Sequence, residues 1–257
     1  MRTVLELRNV TKRYSGIPVV NAVSFTARAG EVTGYLGPNG SGKSTTMKMI
    51  TGLIDASDGE ILFAGEPVER DWVAHRQRFG YVPEEPQLYP HLTGEECLDM
   101  IGRLRGLPAG PLGEKIDGLL KLFGLDSDRH VAIASYSKGM RQKILLSAAL
   151  LHNPDLILLD EPFSGLDINS ALVMRELILA LAAAGKTVLL SSHELEVVEK
   201  VCSRVVIIHK GRIVADDSIS ELRALMSLPT LEEIFTQLAV EQDTKGVVNR
   251  ILGLMAL

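Results

Sequence analysis

Alternation of apolar and polar side chains marks residues 4–10 and 19–27, and an apolar stretch follows at 31–36; together they predict three strands. Residues 42–50 then take up helical spacing, with Gly52 suited to the C-terminal cap. Short strand signals recur at 61–63 and 79–82, and from 83 to about 152 the spacing is helical. There Thr93, three residues ahead of Glu96, forms a capping box that opens a helix running to about 104. Pro108 and Pro111 break the next connection, and a second helix ends at Phe123 before Gly124. A third, starting near Ser137, sets Ile144, Leu145, Ala148 and Leu151 on one face. Strand character returns at 155–160 and 187–191 as continuous apolar runs, the pattern of parallel strands covered on both faces. A helix over 170–184, capped by Gly185, lies between them and completes a βαβ unit. Residues 205–214 read as a hairpin around Lys210-Gly211. Two short helices follow Asp217, with capping boxes at Ser218/Glu221 and Thr230/Glu233. The order predicts an α/β fold: a parallel core, a β-rich N-terminal part, a helical insertion and a helical tail.

Composition narrows the partners. At 257 residues with 46% hydrophobic content, the chain can fill a large core, and a net charge of −5 argues against broad binding to nucleic acid. Cys97 and Cys202 stand far apart without metal-ligand spacing and read as reduced, half-buried thiols. The first eleven residues look like a strand and not a secretory leader, and no apolar run reaches the ~20 residues of a membrane helix. The apolar tail at 246–257 is also too short to span and reads as a frayed or packed end.

Chemistry concentrates in the loop after the third strand. Gly37, Gly42, Lys43 and Ser44 fit G-x-x-x-x-G-K-[ST], with Pro38, Asn39, Gly40, Ser41 and Thr45 completing the segment. Glycines let successive N–H groups turn inward toward phosphate oxygens, and the following helix adds its positive end. Lys43 supplies a cation for the β- and γ-phosphates, and the Ser44 hydroxyl a ligand for Mg²⁺. Asp160 and Glu161 end an apolar strand, where open α/β sheets bind ligands. Asp160 suits Mg²⁺, Glu161 the polarisation of an attacking water, and His193 at the end of the next strand the orientation of that water. These residues imply a nucleoside triphosphate as ligand.

With the segment Tyr136-Ser-Lys-Gly-Met-Arg-Gln142 and with Ser164-Gly-Leu-Asp167 directly after the carboxylates, the chain resembles the ATP-binding subunit of an ABC transporter from about 4 to 214. The resemblance implies an ABC-type P-loop NTPase domain over 1–217, with a helical subdomain inserted at about 84–152 and a C-terminal tail at 218–257. It implies ATP and Mg²⁺ as cofactors. It also implies two ATPase subunits paired head to tail, so that Ser137 and Gly139 would reach the partner's γ-phosphate and Asp167 would link the two sites. Tyr14 matches the aromatic that stacks on adenine. The resemblance further implies a second subunit that is a copy of this chain or a paralogue, a separate integral membrane permease, and a location at the cytoplasmic face of the membrane.

Two positions depart from that family's usual pattern. Lys138 replaces a signature glycine and is expected to point to solvent, while Glu84 stands where a Mg²⁺-sensing glutamine is usual and remains a candidate metal ligand. The Tyr-Ser-Lys-Gly-Met form, Pro83-Glu84, the segment 88–93 and Thr230-Leu-Glu-Glu-Ile-Phe235 resemble the branch that powers multidrug and polysaccharide exporters. The alternative reading is a soluble ABC-type ATPase outside transport.

Overall fold

In the computed structural model, which describes residues 2–85, 87–239 and 254, two sheets stack around the expected core. Strands β1 (Thr3–Tyr14), β2 (Ile17–Arg28), β4 (Asp58–Phe63) and β5 (Glu66–Pro67) form an antiparallel sheet in the order β2-β1-β4-β5. The second sheet runs β10-β9-β3-β8-β7-β6, from β3 (Val32–Leu36), β6 (Phe79–Val82), β7 (Leu156–Asp160), β8 (Thr187–Ser191), β9 (Arg204–His209) and β10 (Arg212–Ser218). All its pairings are parallel except that of β9 with β10.

Burial on both faces explains the continuous apolar runs. In β7, Leu156 and Leu158 face a core shared with the antiparallel sheet and α1 (Lys43–Ile50), whereas Ile157 and Leu159 face the opposite core. Strand β9 divides in the same way, Val206 and Ile208 to the first core and Val205 and Ile207 to the second. That second core is covered by α6 (Ile168–Ala183), α7 (Leu195–Val201), α8 (Ile219–Met226) and α9 (Leu231–Ala239). A third core lies within the chain between β6 and β7, built mainly from α3 (Gly94–Leu104), α4 (Ala109–Leu122) and α5 (Lys138–Leu150). The Thr93 capping box forms as expected, with Thr93 Oγ1 accepting from the Glu96 amide at 3.2 Å and Glu96 Oε2 accepting from the Thr93 amide at 2.9 Å. Such a cap contributes about 1 kcal/mol. Gly80 lets α5 cross close over β6, since a Cβ there would meet the Ala149 carbonyl.

Three departures have local causes. The five-residue helix α2 (Trp72–Arg76) is too short to show a period. Helix α7, seven residues long with three valines among them, is too short and too β-branched to show a helical period. Helix α6 begins at Ile168 rather than 170, because the Asp167 side chain accepts from the Ser170 amide at 2.9 Å and caps it. The tail at 246–257 lies outside the described residues apart from Leu254. Among the described residues, no helix is long and apolar enough to cross a membrane.

Acid should loosen this fold through a histidine. His152 Nε2 donates to the Phe79 carbonyl at 2.9 Å, and burial, reinforced by Arg105, pushes the imidazole down from 6.5 to about 4. The neutral form is favoured in the folded state, so its stability contribution is complete above pH 6.5 and is lost as pH falls toward 4. His75, also lowered by burial, adds to the same trend. The melting temperature should drop across that window, and His152→Gln, which keeps a donor for Phe79, should flatten the drop. An unchanged pH profile in the variant would remove His152 from the explanation.

Candidate nucleotide site

The loop after β3 folds tightly because two glycines permit it. Gly42, at φ +109°, caps α1, and a Cβ there would press on the Val19 carbonyl at 2.9 Å. A Cβ on Gly37 would run into the Ile208 carbonyl and the Ser41 hydroxyl. Lys43 opens α1 and is only 7% exposed, its ammonium donating to the Gly37 carbonyl at 2.7 Å and to that of Pro38 at 3.4 Å. Burial lowers the Lys43 pKa, and Glu161, Asp160 and Glu84 oppose that shift by attraction. Thr46 Oγ1 donates to the Gly42 carbonyl at 3.0 Å and lies 3.1 Å from the buried Tyr35 hydroxyl, which fixes the first helical turn against β3.

The acidic pair stands at the same sheet edge, at the end of β7. Asp160 is 2% exposed and accepts from Ser191 Oγ at the matching end of β8. Glu161 takes a left-handed backbone, φ +51°, held by its amide donating to the Ser191 carbonyl at 3.0 Å. A non-glycine residue in that region is uncommon and carries some backbone strain. Its Oε2 accepts from His193 Nδ1 at 2.8 Å and from the His193 amide at 3.3 Å, while the imidazole itself stays largely exposed. The hydrogen bond therefore puts the ring proton on Nδ1, facing the carboxylate.

One cleft of about 570 Å³ collects most of these groups: Gly37, Pro38, Asn39, Gly40, Gly42, Lys43, Ser44, Thr45, Glu84, Asp160, Glu161 and His193. Its size suits a ligand of nucleotide dimensions. Lys43 faces three carboxylates there, so the cleft carries excess negative charge that would repel a bare triphosphate. The Ser44 hydroxyl and the Asp160 and Glu84 carboxylates are hard oxygen donors, the set a Mg²⁺ ion takes alongside phosphate oxygens. The residues present thus fit the ion, and its charge removes the repulsion.

Four expected site residues lie outside that lining. Ser41 is buried behind the loop, where its carbonyl accepts from the Gly211 amide at 3.0 Å. Tyr14, at the end of β1, is half exposed, with the Lys12 ammonium 5.4 Å from its ring centroid. Ser137 and Gly139 sit at the start of α5, where Ser137 Oγ accepts from the Met140 amide at 3.2 Å as the expected cap. Lys138 is exposed, as expected, and its ammonium also donates to Ser164 Oγ at 2.8 Å, tying the start of α5 to the turn after the acidic pair. Gly165, at φ +76°, turns the chain so that the lysine stem can lie against it.

Val19 and Phe235 also line the cleft and were not singled out as site residues. Val19 looks like any strand residue. Phe235 stands in the segment 230–235, legible as a motif, but nothing in the spacing of that motif points to the phosphate loop.

The ABC transporter family profile matches residues 20–164. An uncharacterised ABC transporter ATP-binding protein, YhcH of Bacillus subtilis, is 39% identical over 86% of this chain and 73% of its own length. The Nod factor export ATP-binding protein I of Burkholderia lata is 40% identical over 82% of this chain and 70% of its own. The linearmycin resistance ATP-binding protein LnrL of B. subtilis is 35% identical over 90% and 74%. Among solved structures, an ATP-binding subunit of an ABC transporter superposes with a TM-score of 0.87 at 34% identity, covering 91% of this chain and 99% of that one. Sequence, fold and cleft agree, and the chain belongs to the ATP-binding subunits of ABC transporters, the ATPases that power transport.

Proposed function

We propose that this chain binds and hydrolyses Mg-ATP in a head-to-tail pair of ATPase subunits and drives a separate membrane permease, as an exporter. The observation that carries the hydrolytic assignment is the meeting of Lys43, Ser44, Asp160, Glu161 and His193 in one cleft, with Glu161 hydrogen-bonded to His193 at 2.8 Å. Inward N–H groups of 37–45 hold the phosphates and Lys43 neutralises their β–γ end. Ser44 and Asp160, with Glu84, would hold Mg²⁺, whose positive charge would be set against the negative charge of the phosphates. Glu161 accepts the proton of the attacking water, and His193 keeps the carboxylate and the water aligned with the γ-phosphate. Tyr14 stacks on the adenine, and its half-exposed ring supports that role.

The same reading treats residues 84–152 as a subdomain carrying Ser137 and Gly139 to the second subunit's γ-phosphate. Their position at a capped helix start, outside this chain's own cleft, supports it. Relatives named for Nod factor export and linearmycin resistance support the export direction. The permease would place the subunit at the cytoplasmic face of the membrane, and the net charge of −5 fits a partner other than nucleic acid. Tagged protein captured with Mg-ATP from detergent-solubilised native cells should retain a polytopic membrane protein through washing. Recovery of ribosomal or nucleic-acid partners alone would overturn the transport assignment.

A further inference from the structure

The C-terminal helix reaches back into the nucleotide cleft. Leu231 and Ile234 of α9 are fully buried in the core with Val198 and Val201 of α7, and the next residue, half-buried Phe235, lines the cleft with Lys43, Glu161 and His193. The start of α9 is pinned to α7: Glu199 Oε1 accepts from the Leu231 amide at 2.9 Å and from the Arg223 guanidinium of α8. Helix α7 itself begins two residues after His193, and the turn between them is held by Ser192 Oγ accepting from the Glu194 amide at 3.1 Å. The chain thus leaves the cleft at His193 and, through α7, Glu199 and α9, returns to it at Phe235.

We propose that Phe235 is a positioning residue for ATP hydrolysis, an apolar wall that excludes water beside Glu161 and His193 and makes α9 responsive to bound nucleotide. The proposal rests on the cleft being the hydrolytic site. Apart from Val19 and Pro38 the side chains lining the cleft are charged or polar, and among the described residues Phe235 is the one apolar aromatic there, inserted from a separate helix. Displacing water beside the carboxylate lowers the local dielectric, which strengthens its pull on the His193 ring and on the water to be deprotonated. Because α7 and α9 are joined through Glu199, any shift of the His193 turn on closing around ATP is carried to α9.

The test combines kinetics with fluorescence. Phe235→Ala should lower kcat about tenfold while KM for ATP moves less, the cost expected of a mispositioned reacting group. Phe235→Leu, which keeps the apolar wall, should recover most of the rate. The chain has one tryptophan, Trp72, so Phe235→Trp adds a second emitter whose signal, relative to wild type, should shift on Mg-ATP addition and saturate with KM. Wild-type kcat and KM in Phe235→Ala, or a silent added tryptophan in a protein that still turns ATP over, would overturn the proposal. Should Phe235→Ala fail to fold, the leucine and tryptophan variants decide the matter by the same readings. Wild-type protein that hydrolyses no ATP would instead overturn the reading of the cleft itself.

Discussion

Glu161→Gln should reduce ATP turnover by at least about a hundredfold, the usual loss when a general base is removed, while leaving ATP bound. The replacement is isosteric, and its amide oxygen can still accept from His193 Nδ1, now 2.8 Å from the carboxylate, so the turn at φ +51° should survive. What the amide cannot do is take a proton from water. In the proposed head-to-tail pair, ATP held without hydrolysis would keep the closed form populated, because a ligand contacting both subunits shifts the equilibrium toward their association. In gel filtration with Mg-ATP, the 28.0 kDa chain should therefore elute at twice its mass, and should return to monomer when nucleotide is removed. Wild-type turnover in this variant would move the base elsewhere, and an ATP-independent elution volume would count against the paired form.

Lys43→Ala should weaken ATP binding by about 30- to 150-fold while costing the empty protein little stability. The ammonium is the cation set against Glu84, Asp160 and Glu161 in the cleft, and losing a charge-assisted contact of ~2–3 kcal/mol weakens affinity by about 30- to 150-fold. Its effect on the ligand-free fold is small, because two contributions oppose each other. Burial lowers the Lys43 pKa despite three attractive carboxylates, so holding the charged form in the folded state is a net expense. Alanine removes that expense together with the ammonium's hydrogen bonds to the Gly37 and Pro38 carbonyls, so the two effects offset and the ligand-free melting temperature should hold. Stabilisation by added Mg-ATP, which in wild type grows with concentration over Kd, should need about 30- to 150-fold more nucleotide. A variant that melts early yet binds ATP as tightly as wild type would mark Lys43 as a structural cation.

Much of this chain was legible before its fold. The strands β3, β7 and β8 are visible as apolar runs because burial on both faces leaves no room for alternation. The caps at Thr93, Ser137 and Ser218 are visible because capping is a contact between residues three apart. Helices α2 and α7 were not visible, being too short or too rich in valine for their period to show, and their helicity comes from packing. Lys138 illustrates a different limit: its reach to Ser164 spans 26 residues and depends on where the turn at Gly165 brings the chain.

The sequence by itself determined the phosphate loop, the acidic pair and the family, because each is a local arrangement of a few adjacent residue types whose backbone chemistry is self-contained. Lys43, Glu84, Asp160 and His193 were expected at one site, and only the tertiary structure decided that Phe235 shares their cleft. Four of them are gathered by the sheet order β3-β8-β7-β6, and the fifth by the docking of α9 against α7. Strand order and helix docking are set by which buried faces pack together across long stretches of chain, a non-local free energy that no short segment contains.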